Sequence, residues 1–290
     1  MPLRPFAPSN GKQEKIDESG WWAAIAALWS ATALLNGLIL SDRYFDTALA
    51  DVDLTVIVTM VSVFAGAVAA GLAGFAFSAI AGAMLFHWLT PMEVVPLLLA
   101  CSVTTQLFSI VTLWHVMRWT ECLTYLAGGV VGIPIGASML EHVSPQLFAG
   151  GFGLFLVGYS AYMLRRPSVS IECRGRGFEV LAGIAGGITG GATAFPGAVP
   201  TVLCGIRGVT KNEQRGIVQP FILIMQLVTL LYFSKLHILS STPAKLYVWC
   251  VPAVMAGTWI GIRLFNKVDD AKFRQLVLLF LLGSGALLVI

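Results

Sequence analysis

The sequence carries little charge. Only 11% of its 290 residues are Asp, Glu, Lys or Arg, whereas 57% are hydrophobic, and a typical soluble domain has about 25% charged residues. Together with a mean hydropathy of +0.82, this predicts an integral membrane protein and excludes an ordinary soluble domain. The net charge of +3 is small, and we expect no nucleic-acid partner.

Clusters of reactive residues are also missing from the sequence. The five cysteines show no CxxC or other metal-ligand spacing, the four histidines are scattered, and no GxxxxGK[ST] pattern for nucleotide phosphates occurs. We therefore predict no catalytic residue, no metal site and no cofactor. Two classes of function stay open at this point. A membrane-embedded enzyme would need clustered His, Asp or Glu, and a scaffold would need no substrate.

Long apolar segments are what the sequence does have. Those near the roughly 20-residue length of a membrane-spanning helix run approximately over 21–40, 93–115, 121–140, 147–164, 217–233, 246–265 and 273–290. Two further apolar regions, 54–88 and 178–206, are too long for one crossing and contain glycine near their middles. At 1.5 Å per residue, 35 helical residues would extend about 50 Å, beyond a hydrocarbon core of about 30 Å. Each is therefore predicted to be a re-entrant hairpin of two short helices.

The segment at 21–40 has two interpretations. Ala48 and Ala50 resemble a signal-peptide cleavage site, but the apolar run is long, and charged residues intervene before these alanines. An additional N-terminal transmembrane helix with Trp21 and Trp22 at the interface is the favoured interpretation.

The distribution of Lys and Arg predicts the orientation. If the N-terminus is cytoplasmic and both hairpins return to the side they entered from, all of the 18 Lys and Arg fall on the inner side except Arg43, Lys235 and Lys245. This split follows the positive-inside rule. It predicts a multi-pass protein with a cytoplasmic N-terminus and an external C-terminus.

The chain also repeats itself. With an offset of 120, residues 65–108 align with 185–228 and share eight identities, among them Phe75 with Phe195 and Gln106 with Gln226; with an offset of 125, residues 132–140 align with 257–265. By the charge argument the two copies begin on opposite sides, which predicts an inverted-repeat transporter. The domains expected are 1–53 (tail, helix and outer loop), 54–164 (first repeat), 165–177 (basic linker) and 178–290 (second repeat).

Several motifs of the chain resemble those of a known family. The glycine-interrupted openings of the two halves (AGAVAAGLAGFAF and AGIAGGITGGATAF), the central polar position of the next helix and the paired GxxxG segments are similar to those of TauE/SafE transporters. The resemblance covers about 54–290. It implies export of small sulfur-containing anions, such as sulfite, sulfoacetate or related organosulfonates, across a bacterial inner membrane.

The second glycine-rich stretch, GITGGATAFPGAVP (187–200), is the first candidate for the binding site. Broken helix at membrane depth is tolerated only inside protein or along a water-filled cavity, and a helix N-terminus favours anions. Thr193 and, in the other hairpin, Ser78 would add hydroxyl donors. The alternative is that the glycines only let helices pack closely, an interpretation that we favour for Gly132, Gly136, Gly257 and Gly261.

Polar residues inside two long helices complete the candidate site. Gln106 and Gln226 occupy equivalent places in the repeats, and each shares a helical face with other polar residues: Ser102 and Ser109 in the first repeat, Gln219 and Thr229 in the second. Glutamine can donate N–H groups to an anion without adding charge. Interhelical hydrogen bonding is the alternative role.

Charged residues are absent from the predicted midplane, which argues for an anion or a neutral solute rather than a cation. Arg263 is the nearest cation and would attract anions into a cytoplasmic vestibule, unless it reaches the lipid headgroups. His87, His115, Glu93 and Glu213 lie near helix ends, where we expect interfacial roles and at most gating. The expected partners are the small anion and membrane lipid, and glycine-lined helix faces would also allow a homodimer.

Overall fold

The computed structural model describes residues 54–85, 88–142, part of 150–164, 175–235 and 241–289. The predicted N-terminal helix at 21–40, half of the apolar segment at 147–164 and most of the linker at 165–177 lie outside the described residues. Within them the chain is helical and contains no strand, so the all-α prediction is confirmed.

The helices lie in the following order along the chain. Their bounds are α1 Leu54–Ala73, α2 Phe77–Leu85, α3 Pro91–Thr112, α4 Trp119–His142, α5 Arg176–Thr193, α6 Ala198–Arg207, α7 Lys211–Lys235, α8 Ser241–Lys267 and α9 Asp270–Val289, with a 3₁₀ turn at Trp114–Val116.

Five of the described helices are long and apolar enough to cross a membrane: Leu54–Ala73, Glu93–Thr112, Trp119–Met139, Lys211–Lys235 and Lys245–Lys267. Their exposed surfaces carry large apolar side chains such as Ile57, Leu123 and Leu231. In water such faces would be unfavourable, whereas lipid solvates them. The protein is therefore a multi-pass membrane protein.

The two regions predicted to be hairpins are each a long helix followed by a short one. α1 has 20 residues and α2 has 9, while α5 has 18 and α6 has 10. The expectation of two short helices is wrong for the first member of each pair, because its glycines do not interrupt it. Gly190 and Gly191 lie inside α5 rather than at the break, and Gly191 packs against α4.

Glycines instead bring neighbouring helices into backbone contact. A Cβ atom on Gly128, Gly132 or Gly136 of α4 would lie within 2.2 Å of a carbonyl oxygen of α5. Between α1 and α8, Gly257 and Gly261 similarly face the carbonyl oxygens of Phe64 and Val68. No larger side chain fits such contacts.

The close-packing interpretation of Gly132, Gly136, Gly257 and Gly261 is therefore confirmed. All four are used within the chain, so they provide no exposed face for a homodimer. In both contacts a helix of one predicted half packs on a helix of the other, α1 on α8 and α5 on α4.

Capping interactions explain two of the residue identities between the repeats. The backbone N–H of Thr90 donates to Glu93 Oε2 at 3.1 Å, and that of Thr210 donates to Glu213 Oε2 at 3.0 Å. Each pair forms the S/T-x-x-E arrangement of a helix N-terminus, at α3 and α7 respectively. Glu93 and Glu213 thus have a structural role, and Glu213 also pairs with Arg118 at 2.9 Å.

Candidate functional site

The breaks between α1 and α2 and between α5 and α6 lie at equivalent positions. Gly74 has φ +90° and Ala194 has φ +56°, and they differ by the offset of 120 that relates the repeats. This left-handed conformation, which ends a helix by turning the chain, suits glycine and is strained for alanine. We call residues 74–76 the first break and residues 194–197 the second break.

The two breaks adjoin each other in the interior. The rings of Phe75 and Phe195, the residues after the left-handed positions, stack with centroids 6.1 Å apart and an interplanar angle of 17°. A Cβ on Gly197 would lie 3.0 Å from Cβ of Phe75. The starts of α2 and α6 are therefore brought together by residues far apart in sequence.

Buried side chains cap the carbonyl groups at both breaks. Gln106 Nε2 donates to the carbonyl oxygen of Gly74 at 3.0 Å, and Ser78 Oγ donates to that of Ala194 at 2.6 Å. These bonds satisfy backbone acceptors that the interrupted helices leave without partners, which would be costly in an apolar interior. The first break is capped from α3, whereas the second is capped from α2 across the interface between the breaks.

A further bond joins α3 to α7 beside the breaks. Gln226 Nε2 donates to Ser102 Oγ at 2.7 Å, and both residues are at most 1% exposed. An amide group carries two N–H hydrogens, so each of Gln106 and Gln226 retains one more donor. Gln226 therefore makes the interhelical hydrogen bond that was considered as an alternative for both glutamines, whereas Gln106 caps the carbonyl group of Gly74.

Several buried polar groups next to these bonds have no hydrogen-bond partner in the described part of the chain. They include both amide atoms of Gln219, the amide nitrogen of Gln214, the amide oxygens of Gln106 and Gln226, the hydroxyl of Ser109, and all three guanidinium nitrogens of Arg215. Buried polar groups are nearly always paired in native structures. Such a concentration of unused donors and acceptors is typical of a site that binds a polar ligand.

Arg215 is the most unusual member of this group. It is 1% exposed and lies on α7, where its guanidinium carbon is 4.2 Å from the ring centroid of Phe265. A methyl group on Gly74 would lie 3.5 Å from its Nε and 3.6 Å from Cγ of Gln219. Arg215 and Gln219 therefore line the first break.

The structure brings some of the candidate residues from the sequence together and separates others. Gln106, Ser102, Gln226, Ser78 and Gln219 all lie at or beside the breaks, through the contacts given above. Each has a buried side chain.

The remaining candidates have other surroundings. Thr193 and Thr229 donate to carbonyl oxygens one turn earlier in their own helices, those of Thr189 and Met225. Ser109 is buried one turn after Gln106. Arg263 is exposed, and its guanidinium stacks 3.6 Å from the ring centroid of Trp259, so its position lends no support to a role at the breaks.

Sequence reasoning missed Arg215, which was counted among the cytoplasmic loop residues. A signal was nevertheless present, because Arg215, Gln219 and Gln226 are spaced four and seven residues apart and thus share one face of a helix. The apolar segment was predicted to start at 217, and this excluded the arginine. The capping boxes of α3 and α7 place the true helix start earlier, at 211 in the second repeat.

Comparison with known proteins identifies a family. The chain matches the sequence model of the family described as Sulfite exporter TauE/SafE over residues 58–288. No curated protein and no solved structure matches it. The match begins within α1 and ends within α9, so it includes both breaks and the helices around them.

Proposed function

The chain belongs to the sulfite exporter TauE/SafE family, and we propose that it exports small sulfur-containing anions, sulfite or organosulfonates such as sulfoacetate, through a site at the two helix breaks. The observation that carries the proposal is the adjoining pair of breaks, surrounded by buried side chains with unused hydrogen-bonding groups. Irregular backbone at membrane depth is expected where it lines a binding cavity.

We propose alternating access as the transport mechanism, with residues 54–164 and 178–290 as the two halves of an inverted repeat. Two observations support it: the left-handed residues are separated by the same offset of 120 as the sequence repeat, and each half contributes its first long helix to a glycine contact with the other half. Relative rocking of the halves would expose the breaks to each side in turn.

Export of an anion needs no ATP under this proposal. An inside-negative membrane potential drives an anion outward with about 2.3 kcal/mol per charge per 100 mV. We propose a bacterial inner membrane as the location, with the N-terminus in the cytoplasm and the C-terminus outside, in agreement with the distribution of Lys and Arg.

Purified protein in liposomes loaded with radiolabelled sulfite tests the function. We expect sulfite efflux above that of protein-free liposomes, faster with an imposed inside-negative potential and inhibited by internal sulfoacetate more than by sulfate or taurine. Lys272→Gln, which removes an exposed charge in the first turn of α9, is the matched protein control and should retain wild-type efflux. Wild-type protein that releases sulfite no faster than protein-free liposomes would refute the proposed substrate.

Cysteine labelling in intact cells tests the orientation, on a background without native cysteines. Ser240→Cys should react with an impermeant reagent and Ser170→Cys should not. Labelling at position 170 would overturn the proposed topology without affecting the proposed substrate.

A further inference from the structure

Arg215 carries a buried positive charge whose desolvation cost is not offset by hydrogen bonds within the described chain. A buried, unpaired charge costs several kcal/mol relative to water even after relaxation. The cation–π contact with Phe265 offsets part of that cost. Within the described residues none of its nitrogens has a hydrogen-bond acceptor, so the packing around Arg215 leaves most of the desolvation penalty uncompensated.

Lys211, one turn earlier on α7, shows how a cation is accommodated when its role is structural. Its ammonium group lies 4.8 Å from the centroid of the same Phe265 ring. It also donates to the carbonyl oxygens of Phe265 and Val268, and it is only partly buried. Arg215 shares the ring contact but lacks such acceptors and is fully enclosed, which sets it apart from a cation used to anchor α7.

The neighbour of Arg215 at the first break is a donor of the kind an oxyanion needs. The amide nitrogen of Gln219, whose side chain adjoins Gly74 together with Arg215, is buried and without an acceptor in the described chain. The planar guanidinium can donate two parallel N–H bonds to two oxygens of one group, a geometry that matches sulfite and sulfonate oxygens. A neutral solute would leave the charge uncompensated.

We propose that Arg215 provides the positive charge that binds the transported oxyanion at the first break, with Gln219 donating beside it. The inference deepens the proposed function, on which it rests, because it identifies the substrate as a charged oxyanion and excludes a neutral solute. The site is assembled by α7 of the second half against the first break of the first half. Binding would therefore link the two halves directly.

The test compares thermal unfolding of purified wild-type protein, Arg215→Met, Arg215→Lys and Lys272→Gln in detergent, at constant ionic strength. The added solutes are sulfite, methanesulfonate, nitrate and neutral dimethyl sulfone. Sulfite should raise the unfolding midpoint of the wild type and of Lys272→Gln, whereas dimethyl sulfone should not. In Arg215→Met the affinity for sulfite should fall by roughly tenfold to a hundredfold, as for the loss of one or two charge-assisted hydrogen bonds.

The midpoint without added anion distinguishes binding from a structural role. Arg215→Met removes a buried unpaired charge and keeps an apolar contact with Phe265, so we expect a higher midpoint than that of the wild type. Arg215→Lys retains the charge but not the planar pair of donors and should have an intermediate affinity. A lower midpoint, or no folded protein, for Arg215→Met would make Arg215 a structural residue and overturn the inference.

The remaining outcomes separate this inference from the proposed function. Equal responses of wild type and Arg215→Met to sulfite would overturn the role of Arg215 and leave sulfite export standing. Binding of nitrate or methanesulfonate through Arg215 without binding or efflux of sulfite would support the anion site and overturn the proposed substrate. A wild type that responds to none of the anions would overturn both.

Discussion

The two helix breaks have equivalent positions and different surroundings. At the first break, Gly74 lies against Arg215 and Gln219, and its carbonyl accepts from Gln106. The residues related by the offset of 120 to Arg215 and Gln219 are Val95 and Leu99, which belong to the same buried apolar cluster as Ala194 at the second break. The repeat therefore supplies the backbone geometry twice, whereas the charged side chain is present once.

This difference indicates a division of roles between the breaks. The second break lies among largely apolar side chains, and the hydroxyls of Ser78 and Thr189 donate to the carbonyls of Ala194 and Phe195, so the polar side chains bonded to it carry no charge. The first break is bordered by donors without acceptors in the described chain. The glycine-rich appearance of 187–200 drew the sequence prediction to the second break, but Arg215, Gln219 and Gln106, which have unused polar groups, lie at the first.

Val95→Arg, which introduces at the repeat-related position of α3 the charge that α7 carries at the first break, should have the largest effect. Val95 is 1% exposed among apolar residues, and a buried charge without a partner costs several kcal/mol. We expect a large loss of folded, monodisperse protein in size-exclusion chromatography. Val95→Met is the control for size and should remain folded. A stable Val95→Arg protein would show that the two environments are interchangeable.

Removing the amide groups should affect the two repeats unequally. Gln106→Ala leaves the buried carbonyl of Gly74 without its side-chain donor, at a cost of about 1–3 kcal/mol in the free energy of unfolding. Gln226→Ala should cost about 1 kcal/mol or less, because the freed Ser102 hydroxyl can turn to a carbonyl of its own helix. Thr104 and Thr105 already do this. Thermal or chemical unfolding shows which variant loses more stability. A larger loss of unfolding free energy in Gln226→Ala than in Gln106→Ala would contradict this account.

The left-handed conformation of the first break can be tested with Gly74→Ala. The added methyl group meets no atom closer than 3.5 Å, so steric overlap is not the main cost. The φ of +90° should destabilise the protein by about 1–2 kcal/mol, seen as a lower unfolding midpoint. Gly150→Ala, at a helical glycine with open space around it, serves as the control and should be at least as stable as the wild type.

The reverse substitution at the second break should have the smallest effect. Ala194→Gly relieves a strain of about 1–2 kcal/mol but loses a fully buried methyl group worth about 0.8 kcal/mol and increases the freedom of the unfolded chain. The free energy of unfolding should therefore change by less than about 1 kcal/mol. A destabilisation as large as that of Gly74→Ala would mean that the two positions do not share one backbone requirement.

The sequence predicted the membrane class, the helical fold, the family and the approximate regions that contain the breaks. It also identified Gln106, Gln226, Ser78 and Ser102, because polar residues inside apolar segments are conspicuous. It did not predict that α1 would be a continuous 20-residue helix, since the effect of an internal glycine depends on what packs against it. In α1, Gly71 meets the backbone of α8 and Gly66 meets α2, and the helix continues through both.

Hydropathy, charge and the spacing of repeats are properties of the chain itself, and they determined by themselves that this protein is a multi-pass helical membrane protein. The tertiary structure alone decided which break is polar. Arg215 is 141 residues beyond Gly74, and no local pattern indicates that they adjoin; the approach of α7 to the first break and the Phe265 ring of α8 bring the guanidinium into the interior. Burial turns a charge that is inexpensive in a loop into one that requires an opposite charge, and burial is decided by contacts between distant segments.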